Sequence, residues 1–159
     1  MNVKGQYSFN GLEQVIWGQD AVSACVEEVG RREAKRVAII SSPSLRKAAG
    51  TVDALAHSLG DKAVAIFDEL RPHTPAPQVA AFAKLLKDNK ADLVISLGGG
   101  TPIDTAKVAL AMLDANATDP FAVANKPPKS DPPKIRQIAC PTTLSGAEFS
   151  DLAGNTMFD

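Results

Sequence analysis

Three glycines, Gly98, Gly99 and Gly100, separate the apolar run Leu93-Val94-Ile95-Ser96-Leu97 from Thr101-Pro102-Ile103-Asp104-Thr105-Ala106-Lys107. Branched aliphatics in a run of that length predict a buried parallel strand, and glycines let the backbone take positive φ and approach a ligand closely. Thr101 reads as the N-cap of the following helix, Pro102 as its first residue and Asp104 as the acid of a capping box. The free N–H groups of such a helix end would face a hollow empty of side chains, a place suited to phosphate. The same residues also suit a plain tight turn. A P-loop is excluded, because Lys107 comes too late and Val108 follows it. The common dinucleotide fingerprint is met only in part: Gly98 and Gly100 are present, Ile103 stands at the third glycine, and no acidic residue ends a strand about twenty positions on.

A second chemistry-bearing stretch is Cys140-Pro141-Thr142-Thr143-Leu144-Ser145-Gly146-Ala147-Glu148, which follows the short strand Ile135-Arg136-Gln137-Ile138-Ala139. Hydroxyls at the carboxyl end of a strand can donate to and accept from ribose and phosphate oxygens. They also form ordinary cap and turn clusters. Glu148 suits either a role in orienting this loop or a surface ion pair.

The elements that would position these residues alternate along the chain. Val22, Cys25, Val26 and Val29 recur at helical spacing before the strand Val37 to Ile40. Ser42 and Pro43 open a helix whose apolar face carries Val52, Leu55, Ala56 and Leu59 and which ends at Gly60. The strand Ala63 to Phe67 follows, then a Pro-rich turn from Pro72 to Pro77, a helix with Val79, Phe82, Ala83 and Leu86 inward, and the glycine strand with its helix through Leu113. Such alternation predicts an α/β fold, a Rossmann-like parallel sheet with helices on both faces. The stretch from Asp114 to Lys134, rich in proline, reads as a long surface excursion. Thr156-Met157-Phe158 reads as a last strand.

With both motifs in this order and at this spacing, the chain resembles the iron-containing (group III) alcohol dehydrogenase family. Gly98 to Lys107 matches the family's GGGS-x-x-D-x-AK, and Pro141 to Glu148 matches its PTT-x-x-[ST]-[GA]-[SA]-E. Tyr7-Ser8-Phe9 and Val15-Ile16-Trp17-Gly18 resemble the family's amino-terminal β-hairpin, and Arg36 to Pro43 its first nucleotide-binding strand. Ser41-Ser42-Pro43, Phe67-Asp68 with His73-Thr74-Pro75, and Leu144 to Phe149 lean toward the maleylacetate reductase branch. The resemblance implies one NAD(P)-binding domain over residues 1–159, with NAD(H) or NADP(H) contacted by Ser41, Gly98, Gly99, Gly100, Thr101, Asp104, Thr142, Thr143 and Ser145. It implies hydride transfer between the nicotinamide and a carbonyl or alcohol substrate, or reduction of a C=C group, in the complete enzyme. Ser41 and Ser42 stand where NAD-preferring relatives carry an acidic residue, with Arg46 and Lys47 nearby, which implies use of both cofactors.

The same resemblance places a catalytic divalent metal, iron or zinc, on one Asp and three His of a carboxyl-terminal all-helical domain. His57 and His73 match none of those positions, so the expectation is that this domain is absent and that the 159 residues alone are inactive, with catalytic residues unassigned. A separate helical domain or a homo-oligomer would then be the partner. A different class of function also fits, a stand-alone nucleotide-binding or interaction domain without catalysis. Lys107 reads as a solvated helix lysine, and Asp104 as a cap or a cofactor neighbour.

Composition sets outer limits. At 159 residues, 45% hydrophobic and net charge −1, the chain can bury one core, and no basic excess points to nucleic acid. Two cysteines, Cys25 and Cys140, make no disulfide framework and read as small buried residues. No apolar run reaches membrane-spanning length and no signal core follows Met1, so a cytoplasmic protein away from membranes is expected.

Overall fold

The computed structural model describes residues 11–48, 50–123, 133–150 and 152–157. Four parallel strands form its sheet: β1 (Val37–Ser41), β2 (Ala63–Phe67), β3 (Leu93–Gly98) and β4 (Arg136–Pro141), in the order β2-β1-β3-β4. α1 (Ala21–Arg31) precedes β1, and between the strands run α2 (Pro43–Ala48), α3 (Thr51–Leu59), α4 (Ala76–Asp88) and α5 (Gly100–Ala115). Parallel strands need crossovers, and the helices that make them cover both faces, which is why β1 and β3 are buried along their whole length.

Alternation along each strand sorts side chains between two apolar layers. Val37 and Ile39 of β1, with Leu93, Ile95 and Leu97 of β3, pack on Cys25 and Val29 of α1 and on Val52 and Leu55 of α3. Ala38, Ile40 and Val94 face Val79, Phe82 and Leu86 of α4 and Ala106, Ala109 and Met112 of α5. Phe82 is fully buried, and its ring centroid lies 5.4 Å from that of Phe67. Burying one such ring contributes about 2–3 kcal/mol. Under α5 the β3 face turns polar: the Gln137 side-chain N–H donates to Ser96 Oγ at 2.7 Å and to the Ile103 carbonyl at 3.2 Å, so the buried hydroxyl is partnered.

Several local expectations are corrected. The single helix expected from Ser42 to Leu59 is two, because Gly50 takes a left-handed φ of 61° as the N-cap of α3. The amino-terminal hairpin falls in part on Tyr7 to Phe9, which lie outside the described residues. In the described segment that follows, Glu13 meets Arg31 at 2.8 Å, Arg32 at 2.6 Å and Arg136 at 3.3 Å. Of the Asp114 to Lys134 excursion, the described part holds one short 3-10 turn, Pro120–Ala122, and residues 124–132 lie outside it. The last strand reduces to one parallel bridge, Thr156 with Pro75, whose N–H and C=O bonds run to Thr74 and Ala76; Phe158 lies outside the described residues.

Candidate functional site

The sheet order sets where a ligand can enter. From β1 the chain crosses to β2 on one side and then to β3 on the other, so the carboxyl ends of β1 and β3 flank a topological switch point. Gly98 ends β3 there. Its φ of 140° is one that side-chain-bearing residues rarely take, and a β-carbon on it would stand 2.8 Å from Pro102 Cγ. The backbone therefore turns sharply at Gly98 and enters α5 at once.

That early turn moves the helix start. α5 begins at Gly100 with Gly99 as its N-cap, no side chain caps it, and Pro102 is its third residue rather than its first. The Thr101 cap and the Asp104 capping box expected from the sequence are thus not formed. Proline is still accommodated, since N–H groups of a first turn have no acceptor within the helix. The N–H groups of Gly99, Gly100 and Thr101 have no intrahelical partner for the same reason, and they carry the positive end of the helix dipole.

The hydroxyl loop after β4 lies directly over this turn. Pro141 pairs with Gly98 in register, and Thr142 donates its N–H to the Gly98 carbonyl at 2.9 Å. A β-carbon on Gly99 would meet Thr143 Cγ2 at 3.0 Å, and one on Gly100 would meet Ser145 Oγ at 3.5 Å. The glycines make room for the loop as well as for anything bound between. Thr142, Thr143 and Ser145 are exposed, and the side chains of Thr143 and Ser145 stand over Gly99 and Gly100 to form an open cradle.

Lys107 fixes the far side of the loop and is not a solvated lysine. Its side chain is only 16% exposed; the ammonium donates to the carbonyls of Ala147 and Leu152, the latter at 2.9 Å, and pairs with Asp104 at 3.3 Å. Burial holds the Asp104 carboxyl above the usual carboxylate range, and the Lys107 charge pulls it partly back. Nothing in the sequence pattern separated this buried lysine from a surface one. One buried Glu148 carboxylate oxygen meets no hydrogen-bond donor among the described residues.

Ser41 stands apart from the cradle surface. It is wholly buried at the end of β1, its hydroxyl donating to the Ser42 carbonyl at 3.3 Å. Ser42 faces the glycine turn instead, its Oγ 3.6 Å from where a Gly98 β-carbon would be, and it accepts the Leu45 N–H. Beyond it an open hollow is lined by Pro43, Arg46, Lys47, Asp68, Glu69 and Arg71. The Arg46 guanidinium is already engaged by Asp53 and, at 3.2 Å, by Asp68. His57 is exposed on α3, and His73 contributes its backbone, its carbonyl accepting the Thr156 hydroxyl at 2.7 Å. Among the described residues no group of three or more His, Cys, Asp and Glu converges to hold a metal ion. None of the described helices is long and apolar enough to cross a membrane.

A doubly wound parallel sheet with a glycine turn and a Thr-rich loop meeting at its switch point defines the class as a Rossmann-like α/β domain. Comparison with known proteins narrows it: residues 13–157 match the family model for iron-containing alcohol dehydrogenase, and the chain belongs to that family. It is 33% identical to "Dehydrogenase FUM7" of Gibberella moniliformis over 94% of this chain and 38% of that one. It is 27% identical to "Maleylacetate reductase 1" of Cupriavidus pinatubonensis over 90% of this chain and 34% of that one. In fold it is similar to sulfoacetaldehyde reductase from Bifidobacterium kashiwanohense, solved in complex with NAD+, with a TM-score of 0.71 at 19% identity over 84% of this chain and 35% of that one. The chain thus spans little more than a third of the length of the curated relatives it matches.

Proposed function

We propose that residues 1–159 act as one nicotinamide-dinucleotide-binding domain, the part of an NAD(P)-dependent oxidoreductase that holds its cofactor. The observation that carries this reading is the cradle itself, in which the uncapped start of α5 at Gly99, Gly100 and Thr101 lies beneath the side chains of Thr143 and Ser145, with Thr142 tied to Gly98 through its backbone. The N–H groups receive the pyrophosphate oxygens. The hydroxyls bond phosphate or ribose, and Asp104, half-buried one turn along α5 and paired with Lys107, is the proposed acidic neighbour of the cofactor. Bound there, the nicotinamide supplies or accepts the hydride, while these residues bind it, orient it and exclude water from the pyrophosphate.

For the whole protein the reading is hydride transfer with a carbonyl or alcohol substrate, in a cytoplasmic setting. The maleylacetate reductase relatives favour a small carbonyl or unsaturated acid as that substrate. The family's metal belongs to the same proposal for the whole protein and finds no ligand set among the described residues. A helical domain or a second copy of the chain is the proposed partner. Calorimetric titration with NADH, NADPH and ADP-ribose tests the binding step. Saturable heats for all three are expected, whereas absence of binding by any dinucleotide would reject the reading.

A further inference from the structure

Cys25 of α1 and Cys140 of β4, 115 residues apart in the chain, bring their sulfurs to 3.2 Å inside the apolar layer beneath the sheet. Both are free thiols. Cys25 is 2% exposed and Cys140 is half-buried, so Cys140 is the less buried residue of the pair. We propose that this pair is an oxidation site, taking hydrogen peroxide or an organic peroxide as oxidant and closing to an intramolecular disulfide. A disulfide needs its sulfurs at about 2.05 Å, so closure asks for a shift of only about 1 Å from the observed contact.

Either thiol can donate in this contact. The less buried residue, Cys140, supplies the attacking thiolate, the nucleophilic form. The Cys140 thiolate attacks one peroxide oxygen, the O–O bond breaks, and Cys140 becomes a sulfenic acid with hydroxide as leaving group. The Cys25 sulfur next attacks the sulfenic sulfur; the S–O bond breaks and the hydroxyl leaves as water with the Cys25 proton. In sum two thiols and one hydrogen peroxide give one disulfide and two waters, two electrons passing from the sulfurs to the peroxide.

Closure would fasten α1 to the strand end that carries the hydroxyl loop, since Cys140 pairs with Leu97 and immediately precedes Pro141. Its importance for cofactor binding rests on the function proposed above; the covalent step does not. The purified protein is treated with peroxide, denatured, alkylated and mapped by mass spectrometry. Expected are loss of both alkylatable thiols, a whole-chain mass lower by two hydrogens, and a linked Cys25–Cys140 peptide, all reversed by dithiothreitol. In Cys25→Ala, a small substitution in an apolar site, Cys140 should accumulate a sulfenic acid trapped by dimedone that the wild type lacks. Two thiols still alkylatable after peroxide, Cys140 carried to sulfinic acid without the linked peptide, or a link formed only between two copies would overturn the proposal. None of these readouts uses a nucleotide, so their failure is separate from failure of the cofactor reading.

Discussion

The Gly98 carbonyl accepts the Thr142 N–H at 2.9 Å, which makes the glycine turn and the Thr-rich loop one backbone unit although those two residues are 44 positions apart in sequence. Gly98→Ala should disturb both together. The substitution forces an alanine into φ near 140° and its methyl against Pro102 Cγ, at 2.8 Å. A loss of about 1–3 kcal/mol is expected in urea denaturation. Unaltered stability would mean that the turn does not require glycine.

Lys107→Met keeps the length of the side chain and removes the charge that holds the carbonyls of Ala147 and Leu152. Charged hydrogen bonds of this kind contribute about 1.5–3 kcal/mol, less here in proportion to the loop's partial exposure. Hydrogen exchange at the Phe149 and Leu152 amides should quicken while that of β1 stays slow. Equal exchange in both proteins would show that Lys107 does not position the loop.

The sheet was legible because each strand carries an unbroken or alternating apolar run, and the two motifs were legible because glycines, hydroxyls and an adjacent proline cluster in short windows. What depended on tertiary contact was not. The start of α5 lay two residues earlier than its capping pattern, because Thr101 and Asp104 offer good local caps while the turn at Gly98 is set by packing on Pro102 and on the β4 loop. Ser41 and Ser42 are indistinguishable by type, and only the end of β1 decides that the first is buried and the second faces the turn. The Cys25–Cys140 contact joins residues far apart in sequence, and no local pattern marks it. The Glu13 cluster carries no local sequence signal, because its three arginine partners come from α1, its end and the start of β4.

Acid should release that last contact. Hydrogen bonds from Arg32, then Arg31 and Arg136, lower the Glu13 carboxyl from its ordinary value near 4.5 to about 2. A carboxylate depressed on folding stabilises the fold above its unfolded value, and this contribution is lost as pH falls from about 4.5 toward about 2. Glu13 is exposed, so the effect is modest and screened by salt. Denaturation midpoints taken across that range should fall more steeply for the wild type than for Glu13→Gln, and parallel curves would remove Glu13 from the account.

Cofactor choice is tested at Ser42, since an acid at Ser41 would be buried and would report on folding instead. Ser42→Asp places a carboxylate at the end of β1 beside the turn, where it repels a 2′-phosphate and accepts from a free 2′-hydroxyl. The wild type should bind NADH and NADPH comparably. The variant should lose NADPH by about tenfold, equivalent to about 1.4 kcal/mol, and keep NADH. Equal loss of both would reject this placement of the ribose.

The central claim is that the dinucleotide pyrophosphate sits between the α5 amino terminus and the loop after β4. Backbone amide NMR spectra of the isotope-labelled protein, recorded as NADH is added, test it most directly. The account predicts saturating shifts concentrated at Gly98, Gly99, Gly100 and Thr101 and at Thr142, Thr143 and Ser145, with the amides of α3 unmoved. Shifts confined to other surfaces, or spectra unchanged at saturating nucleotide, would contradict it.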